Sequence, residues 1–172
     1  VASAQVKTAL MLAAVQSRDT LTFEEPVTSR DHTERMFRAM GVEFSETVEA
    51  NGVHRIQLTG PQPLQAQSFT VPGDISSAAF FIVAASVLPG SDLLIRNVGM
   101  NPTRTGVVAA LRRMGAFIEE QSSREMSGEP VADLRVRSAA LVGTVIEGQE
   151  IPRLVDELPV IAVAAAHATG DT

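Results

Sequence analysis

The sequence predicts an α/β protein built from a repeated unit, in which a helix, a strand, a second helix and two strands follow one another. Its opening run of small and aliphatic residues, 3–14, returns at 76–85 and starts again at 156–166. The first two copies also end their second helix on the same Met-Gly pair, at Gly41 and Gly115. Internal repetition at a fixed period is typical of one supersecondary unit used several times. Because the third copy stops early, we expect the chain to be an incomplete part of a larger repeat protein.

Composition and charge exclude several classes of protein. Of the 172 residues, 45% are hydrophobic and 20% are charged, as in an ordinary globular protein with a packed core. The formal net charge of −6 argues against a nucleic-acid partner, which requires a basic face. The longest apolar run, residues 78–89, is too short to cross a bilayer, so no membrane partner is expected. The absence of cysteine excludes disulfides and thiolate metal sites and, with no signal-peptide pattern, favours a cytoplasmic location.

The elements of the first unit follow from local patterns. Residues 5–15 carry little charge and predict a helix that is buried on most faces. The short apolar run 20–23 predicts a strand. A polar turn follows, in which Ser29 is the expected N-cap of the second helix. That helix is expected to stop at Gly41, because glycine adopts the left-handed conformation at little cost. Two strands are expected to close the unit, over residues 42–44 and 54–58.

The second unit repeats the same order. Asp74 is the expected N-cap of its first helix, and Gly90 the expected stop. Asn101 is the expected N-cap of its second helix, with Pro102 at the first helical position. The predicted strands cover residues 92–96, 116–118 and 133–137.

Four short strings occur in a fixed order along the chain: SAQVK at residues 3–7, SRDHTE at 29–34, VPGDISS at 71–77 and DELP at 156–159. Together they resemble the central part of the EPSP synthase family, the 3-phosphoshikimate 1-carboxyvinyltransferases. The resemblance covers essentially the whole chain. It implies the two-domain enolpyruvyl transferase fold, an inside-out α/β barrel of repeated units whose helices bundle inside each domain.

The same resemblance implies how the chain is divided. Residues 1–68 are expected to be the last unit of one globular domain. Residues 69–172 are expected to be one complete and one partial unit of the second domain. The segment 69–74 is a candidate crossover between them, because Pro72 disfavours helix at the residue before it.

The implied reaction transfers the enolpyruvyl group of phosphoenolpyruvate to the 5-hydroxyl of shikimate 3-phosphate and releases phosphate. It proceeds by addition and elimination through a tetrahedral intermediate, and the family uses neither an organic cofactor nor a metal. The parent enzyme is expected to be a monomer. Several site residues of the family fall outside this chain, so we expect the chain alone to be inactive and to self-associate through uncovered helix faces.

Three substrate-binding candidates open the first helix. The start of a helix favours an anion, because its free N–H groups and its dipole both present positive charge. The resemblance assigns Ser3 to the 3-phosphate of shikimate 3-phosphate and Gln5 to the substrate region. Ala4 stands where some relatives carry a second serine, so only its backbone N–H can serve there. The alternative for Ser3 is a simple helix cap.

Two further substrate-binding candidates, Ser29 and Arg30, open the second helix. A guanidinium offers a planar fork that suits phosphate oxygens, and the resemblance assigns this turn to the 3-phosphate as well. The alternative for Arg30 is a solvated charge or an ion pair with Asp31 or Glu34.

Asp156 is the candidate catalytic residue. The resemblance makes it the aspartate that contacts the 4- and 5-hydroxyls and accepts the proton of the attacking oxygen. The alternative is an N-cap for the helix that follows Pro159, with Glu157 as an exposed neighbour. Ser76, Ser77 and residues 101–106 are expected to be repeat scaffolding rather than ligands.

Two other functions remain open on the sequence. One is the related transferase that acts on UDP-N-acetylglucosamine, although none of its signatures is found in these strings. The other is a non-catalytic α/β repeat module, for which replacement of Asp156 has no consequence beyond a lost cap.

Overall fold

A computed structural model describes residues 3–172, apart from the side chain of Gln149. The chain divides into two compact units, Val1–Thr70 and Val71–Thr172, each with its own core and its own three-stranded antiparallel sheet. The predicted order of helix, strand, helix, strand and strand is present in both units. The assignment of residues 1–68 and 69–172 to two domains of a larger protein stays a prediction.

The first unit contains the helices α1 (Ala4–Ala14) and α2 (His32–Ala39) and the strands β1 (Thr20–Glu25), β2 (Phe44–Val48) and β3 (His54–Thr59). Strand β3 lies between β1 and β2. Its side chains alternate between buried and exposed, as expected for a sheet with one face on the core. The core under the sheet contains Met11, Ala14, Val15, Phe37, Val42, Ile56 and Leu58.

The caps of this unit match the sequence prediction only in part. The hydroxyl of Ser3 accepts the Val6 N–H at 3.4 Å and so caps α1. Gly41 adopts φ = +80° after α2, as predicted. The prediction that Ser29 caps α2 is wrong, because the N-cap position is held by Asp31. Both the N–H and the hydroxyl of Ser29 bond instead to Glu25, so that the helix begins later.

The second unit contains α3 (Ile75–Val87), β4 (Asp92–Gly99), α4 (Gly106–Arg113), β5 (Phe117–Met126) and β6 (Glu129–Arg137). The start of a third repeat follows, with 3-10 turns at Gly148–Arg153 and Val155–Glu157 and then α5 (Leu158–Ala166). Strand β6 lies between β4 and β5, the same arrangement as in the first unit.

The turn before α4 differs from its prediction. The buried side chain of Asn101 accepts the N–H and the hydroxyl of Thr103, at 2.9 and 2.7 Å, and donates to Glu129 at 3.0 Å. Asn101 therefore shapes the turn and is not a helix cap, and Pro102 is not the first helical residue. The helix begins at Gly106, where a Cβ would lie only 2.7 Å from the Arg153 carbonyl oxygen.

The last hairpin is longer than predicted. Strands β5 and β6 pair from Phe117↔Arg137 to Met126↔Glu129, well beyond residues 116–118 and 133–137. Ser127 and Gly128 form the turn with φ values of +53° and +83°, as in a two-residue hairpin that follows the twist of the strands. Because the outer face of β5 is polar, the sequence pattern does not reveal how long this strand is.

Helices α3, α4 and α5 pack into the core of the second unit with the inner face of its sheet. Ala79 and Ile82 of α3 are fully buried there, as is Ala164 of α5. Asp74 caps α3 as predicted, since its carboxylate accepts the Ser77 N–H at 3.0 Å. No helix among residues 3–172 is long and apolar enough to span a membrane.

Candidate functional site

The start of α1 presents backbone donors. Ser3 is extended and its carbonyl accepts the Lys7 N–H at 3.0 Å, so Ala4 and Gln5 form the first turn of the helix. The N–H groups of a first turn have no partner within their own helix. With the helix dipole, they favour an anion at this end. Gln5 is exposed, so its amide can reach a ligand in solvent.

Glu25, the last residue of β1, holds the turn before α2 in place through hydrogen bonds. One carboxylate oxygen, Oε1, accepts the Ser29 N–H at 3.0 Å, and the other, Oε2, accepts the Ser29 hydroxyl at 2.6 Å. The carbonyl of Ser29 accepts a hydrogen bond from Lys7 Nζ at 3.4 Å. Arg30, half-buried, is the next residue along this fixed backbone.

Helices α1 and α2 are joined near their starts. The hydroxyls of Thr8 and Thr33 lie 2.5 Å apart, and Lys7 reaches the backbone of Ser29. The sequence predicted phosphate-binding residues in two separate segments. In the structure, these two segments are in contact within the first unit, because Lys7 and Thr8 of α1 reach Ser29 in the turn before α2 and Thr33 near the start of that helix.

Four charged or titratable side chains form a buried cluster behind this turn. Lys7 and His54 are each 3% exposed, Glu25 is 6% exposed and Glu34 is fully buried. Lys7 Nζ lies 2.7 Å from Glu34 Oε1 and 3.0 Å from Glu25 Oε1. His54 Nδ1 lies 2.9 Å from Glu25 Oε1, and because an ionised carboxylate only accepts, Nδ1 carries the proton.

The electrostatics of the cluster centre on Glu25. Burial by itself raises the pKa of a carboxyl group, but hydrogen bonds from His54, Ser29 and Lys7 outweigh it and hold the pKa of Glu25 below its ordinary value. Glu34 depends on Lys7 for its counter-charge, since neither of its oxygens receives a well-directed hydrogen bond from residues 3–172.

The same cluster has the donor set of a metal site. Ligand atoms of Glu25, Glu34 and His54 lie within 4.8 Å of one another. The Lys7 ammonium is in contact with both carboxylates, however, and supplies the positive charge that a cation would bring. The arrangement therefore has the form of a buried ion-pair network.

Asp156 lies in the second unit, in the 3-10 turn before α5, and is exposed. The expectation that Glu157 is its exposed neighbour is wrong, because Glu157 is only 3% exposed. Glu157 also occupies the N-cap position of α5, so Asp156 is not the cap. The turn points Glu157 inward and leaves Asp156 on the solvent side.

Glu157 is held by residues of the second repeat. The Ser76 hydroxyl donates to Glu157 Oε1, and Arg104 Nη2 lies 4.0 Å from the same oxygen. Arg104 also donates to Ser76 Oγ at 2.5 Å and to Asp74 Oδ1 at 3.0 Å. These contacts anchor the turn that carries Asp156 to the start of α3.

The structure thus places five of the six predicted site residues in the first unit, at the start of α1 and in the turn before α2, and Asp156 in the second unit. Sequence reasoning missed the buried cluster. The available signal was Lys7, the only lysine of the sequence, which lies in a helix that carries no other charged residue. A buried lysine requires an acidic partner, but spacing along the chain does not show which one.

Comparison with known proteins supports one class. The fold closely matches EPSP synthase from Acinetobacter baumannii, with a TM-score of 0.87 and 42% identity over 99% of this chain and 38% of that one. The repeated units are therefore those of the two-domain enolpyruvyl transferase fold. The family model for EPSP synthase (3-phosphoshikimate 1-carboxyvinyltransferase) matches residues 1–172, and the chain belongs to this family.

Similar relatives carry the same name. The 3-phosphoshikimate 1-carboxyvinyltransferase of Synechocystis sp. is 53% identical over all of this chain, and that of Gloeobacter violaceus is 56% identical. The chain spans 38% and 39% of the length of these two relatives. The family match thus favours this transferase over the UDP-N-acetylglucosamine enzyme and over a non-catalytic repeat module.

Proposed function

We propose that this chain forms part of an enzyme that transfers the enolpyruvyl group of phosphoenolpyruvate to the 5-hydroxyl of shikimate 3-phosphate. The match of the family model to all 172 residues carries this proposal. The two adjacent helix starts of the first unit support it, because the substrate is a phosphate monoester and helix starts bind such anions.

The first unit is proposed to bind the 3-phosphate. The N–H groups of Ala4 and Gln5, the Ser3 hydroxyl and the Arg30 guanidinium are its donors. Ser29 is proposed to contribute by holding the backbone that leads into Arg30, because its own N–H and hydroxyl both donate to Glu25. Hydrogen bonds to a charged group contribute about 1.5–3 kcal/mol each, so a few such donors suffice for specific binding.

Asp156 is proposed to accept the proton of the 5-hydroxyl group while the oxygen of that hydroxyl forms a bond to C2 of phosphoenolpyruvate. A second group protonates the methylene carbon in the same addition, which gives the tetrahedral intermediate. Elimination then breaks the C2–O bond to phosphate and removes a proton from the methyl carbon. An exposed carboxylate on an anchored turn suits this role, because a general base must reach its substrate from a fixed position.

The remaining proposals concern the setting of the reaction. We propose a cytoplasmic enzyme that acts without an organic cofactor or a metal, has no nucleic-acid or membrane partner, and is monomeric at full length. The 172-residue chain alone is proposed to be inactive, because the chain spans only 38–39% of the relatives that carry out the reaction.

A titration tests the proposed phosphate site. Shikimate 3-phosphate is added to the isotope-labelled chain, and the backbone amides are followed by NMR. Shifts are expected at residues 3–5, 29 and 30, and Arg30→Gln is expected to abolish them. Arg55→Gln is the matched control, since Arg55 is an exposed arginine of the same unit that pairs with Glu24. Shifts that survive Arg30→Gln, or that occur equally with UDP-N-acetylglucosamine, contradict the proposal.

A further inference from the structure

The contact between Ser29 and Glu25 assigns these residues a role that their positions in the sequence do not show. We propose that Glu25 is a positioning residue for the phosphate-binding turn, and that the Ser29 hydroxyl donates its hydrogen bond to Glu25 and not to the phosphate. The inference rests on the proposed function for the identity of the anion. It adds residues that hold the site in place without touching the substrate.

Glu25 is immobilised from several elements. Its Oε1 atom accepts hydrogen bonds from Lys7 on α1, from the N–H of Ser29 and from His54 on β3, all within 3.0 Å. Glu25 and His54 also face each other as a cross-strand pair of β1 and β3. A carboxylate with this many donors, in a nearly dry setting, has a fixed position and orientation.

The Ser29 hydroxyl has one proton, and Glu25 Oε2 receives it at 2.6 Å. This distance is that of a charge-assisted O–H···O⁻ bond, which is stronger than a bond between neutral groups. A serine that donates in this way offers only lone pairs to a ligand. A phosphate, which also presents lone pairs, therefore gains no hydrogen bond from the Ser29 side chain.

The turn nevertheless fixes the position of Arg30, the phosphate donor that follows it. Because Ser29 is bound through its N–H, its hydroxyl and its carbonyl, the direction in which the chain enters Arg30 is set before any ligand arrives. Lys7 offsets one of the two negative charges of Glu25 and Glu34, which reduces the repulsion between the cluster and an anion at the helix starts. Pre-organised donors bind more tightly because less freedom is lost on binding.

A double-mutant cycle distinguishes positioning from direct contact. The KM for shikimate 3-phosphate is measured in full-length enzyme that carries residues 1–172, for wild type, Ser29→Ala, Glu25→Gln and the double variant. Loss of one such hydrogen bond corresponds to roughly a tenfold change, so each single variant is expected to raise this KM by about that factor. The KM for phosphoenolpyruvate is expected to stay unchanged.

If Ser29 acts through Glu25, the double variant is no worse than Glu25→Gln alone, because both changes remove the same contact. Ser29→Thr keeps the hydroxyl and is expected to restore the wild-type KM. If the increases in KM caused by the two single changes multiply in the double variant, Ser29 contacts the phosphate independently of Glu25. That result overturns the proposal. Glu24→Gln is the matched control, since Glu24 is the exposed neighbour that pairs with Arg55.

A second measurement separates this inference from the proposed function. Hydrogen exchange of the Ser29 amide is followed in the isolated chain without ligand. Glu25→Gln is expected to accelerate it at least tenfold, while Glu24→Gln leaves it unchanged. If exchange is insensitive to Glu25, the positioning role is wrong whatever the enzyme does. If exchange responds but full-length enzyme transfers no enolpyruvyl group, the proposed function fails and the role of Glu25 in holding the turn stands.

Discussion

The Ser29 hydroxyl donates to the Glu25 carboxylate at 2.6 Å, and this contact links the end of β1 to the turn that opens α2. The strand thereby fixes one candidate binding segment, and Lys7 connects the same carboxylate to α1, where the other segment begins. Two helix starts that are distant in sequence are thus joined through one buried acid. The arrangement suggests that the cluster sets the spacing between the two groups of anion donors.

Lys7→Met is expected to destabilise the first unit by about 3–5 kcal/mol, because it leaves two buried carboxylates without their counter-charge. Denaturant unfolding of the chain measures the change. Combining Lys7→Met with Glu34→Gln is expected to recover part of the loss, since one of the two charges is then removed. Arg18→Met, at an exposed position, is the control and should change stability by less than about 0.5 kcal/mol.

Lys7 is also expected to resist acylation by an amine-reactive ester in the folded chain, because its side chain is 3% exposed and its ammonium is held by two carboxylates. Since it is the only lysine, a label on a side-chain amine, located within the peptide by fragmentation, reports on this one site. Labelling should appear once denaturant unfolds the unit. Rapid modification under native conditions contradicts the burial of the cluster.

Acid is expected to weaken the first unit through Glu25. Its pKa in the folded chain lies below the ordinary value of 4.5, so the carboxylate is favoured by folding. The stabilisation is complete above pH 4.5 and is lost as the pH falls through the lower, folded value. Unfolding midpoints measured from pH 7 to pH 3 should therefore fall less steeply for Glu25→Gln than for wild type. Parallel curves for the two proteins contradict the assignment.

Much of the fold could be predicted from the sequence, because repetition and apolar periodicity are local signals. The helix stops at Gly41 and Gly115 are confirmed by φ values of +80° and +91°, which glycine adopts easily. The caps at Ser29 and Asn101 were wrong for a common reason. Each side chain bonds to a group that the sequence pattern did not identify, Glu25 in one case and Thr103 with Glu129 in the other.

The candidate site could be predicted only where it follows family strings. Ser3, Gln5, Arg30 and Asp156 were found by resemblance, and their roles stay predictions. The buried partners could not be found this way, since the contacts of Lys7 with Glu25 and Glu34 span strands and helices. Which charged residues pair over a long range depends on the tertiary fold, and such pairs have no characteristic spacing in the sequence.

Asp156 and Glu157 are expected to respond oppositely to replacement. Asp156→Asn, at an exposed position, should change the free energy of unfolding by less than about 0.5 kcal/mol. In full-length enzyme it should lower kcat by about 100-fold or more, as loss of a general base does. Glu157→Gln should destabilise the second unit by about 1–3 kcal/mol, because it disturbs the buried contacts with Ser76 and Arg104. A stable, active Asp156→Asn enzyme contradicts the catalytic assignment.

Self-association of the isolated chain is the last prediction. Phe80 and Phe81 of α3 are 64% and 62% exposed in the 172-residue chain, next to each other on a helix that is apolar on all sides. Such a surface favours pairing with a second copy, because association removes large aromatic side chains from water.

Light scattering after size exclusion should show a mass that rises with concentration above the 18.3 kDa of one chain. Phe80→Ser with Phe81→Ser should restore the mass of one chain, while Val145→Ser, at an exposed apolar residue in a loop, should leave the association unchanged. A constant 18.3 kDa for the wild-type chain at all concentrations shows that the exposed face of α3 does not drive association.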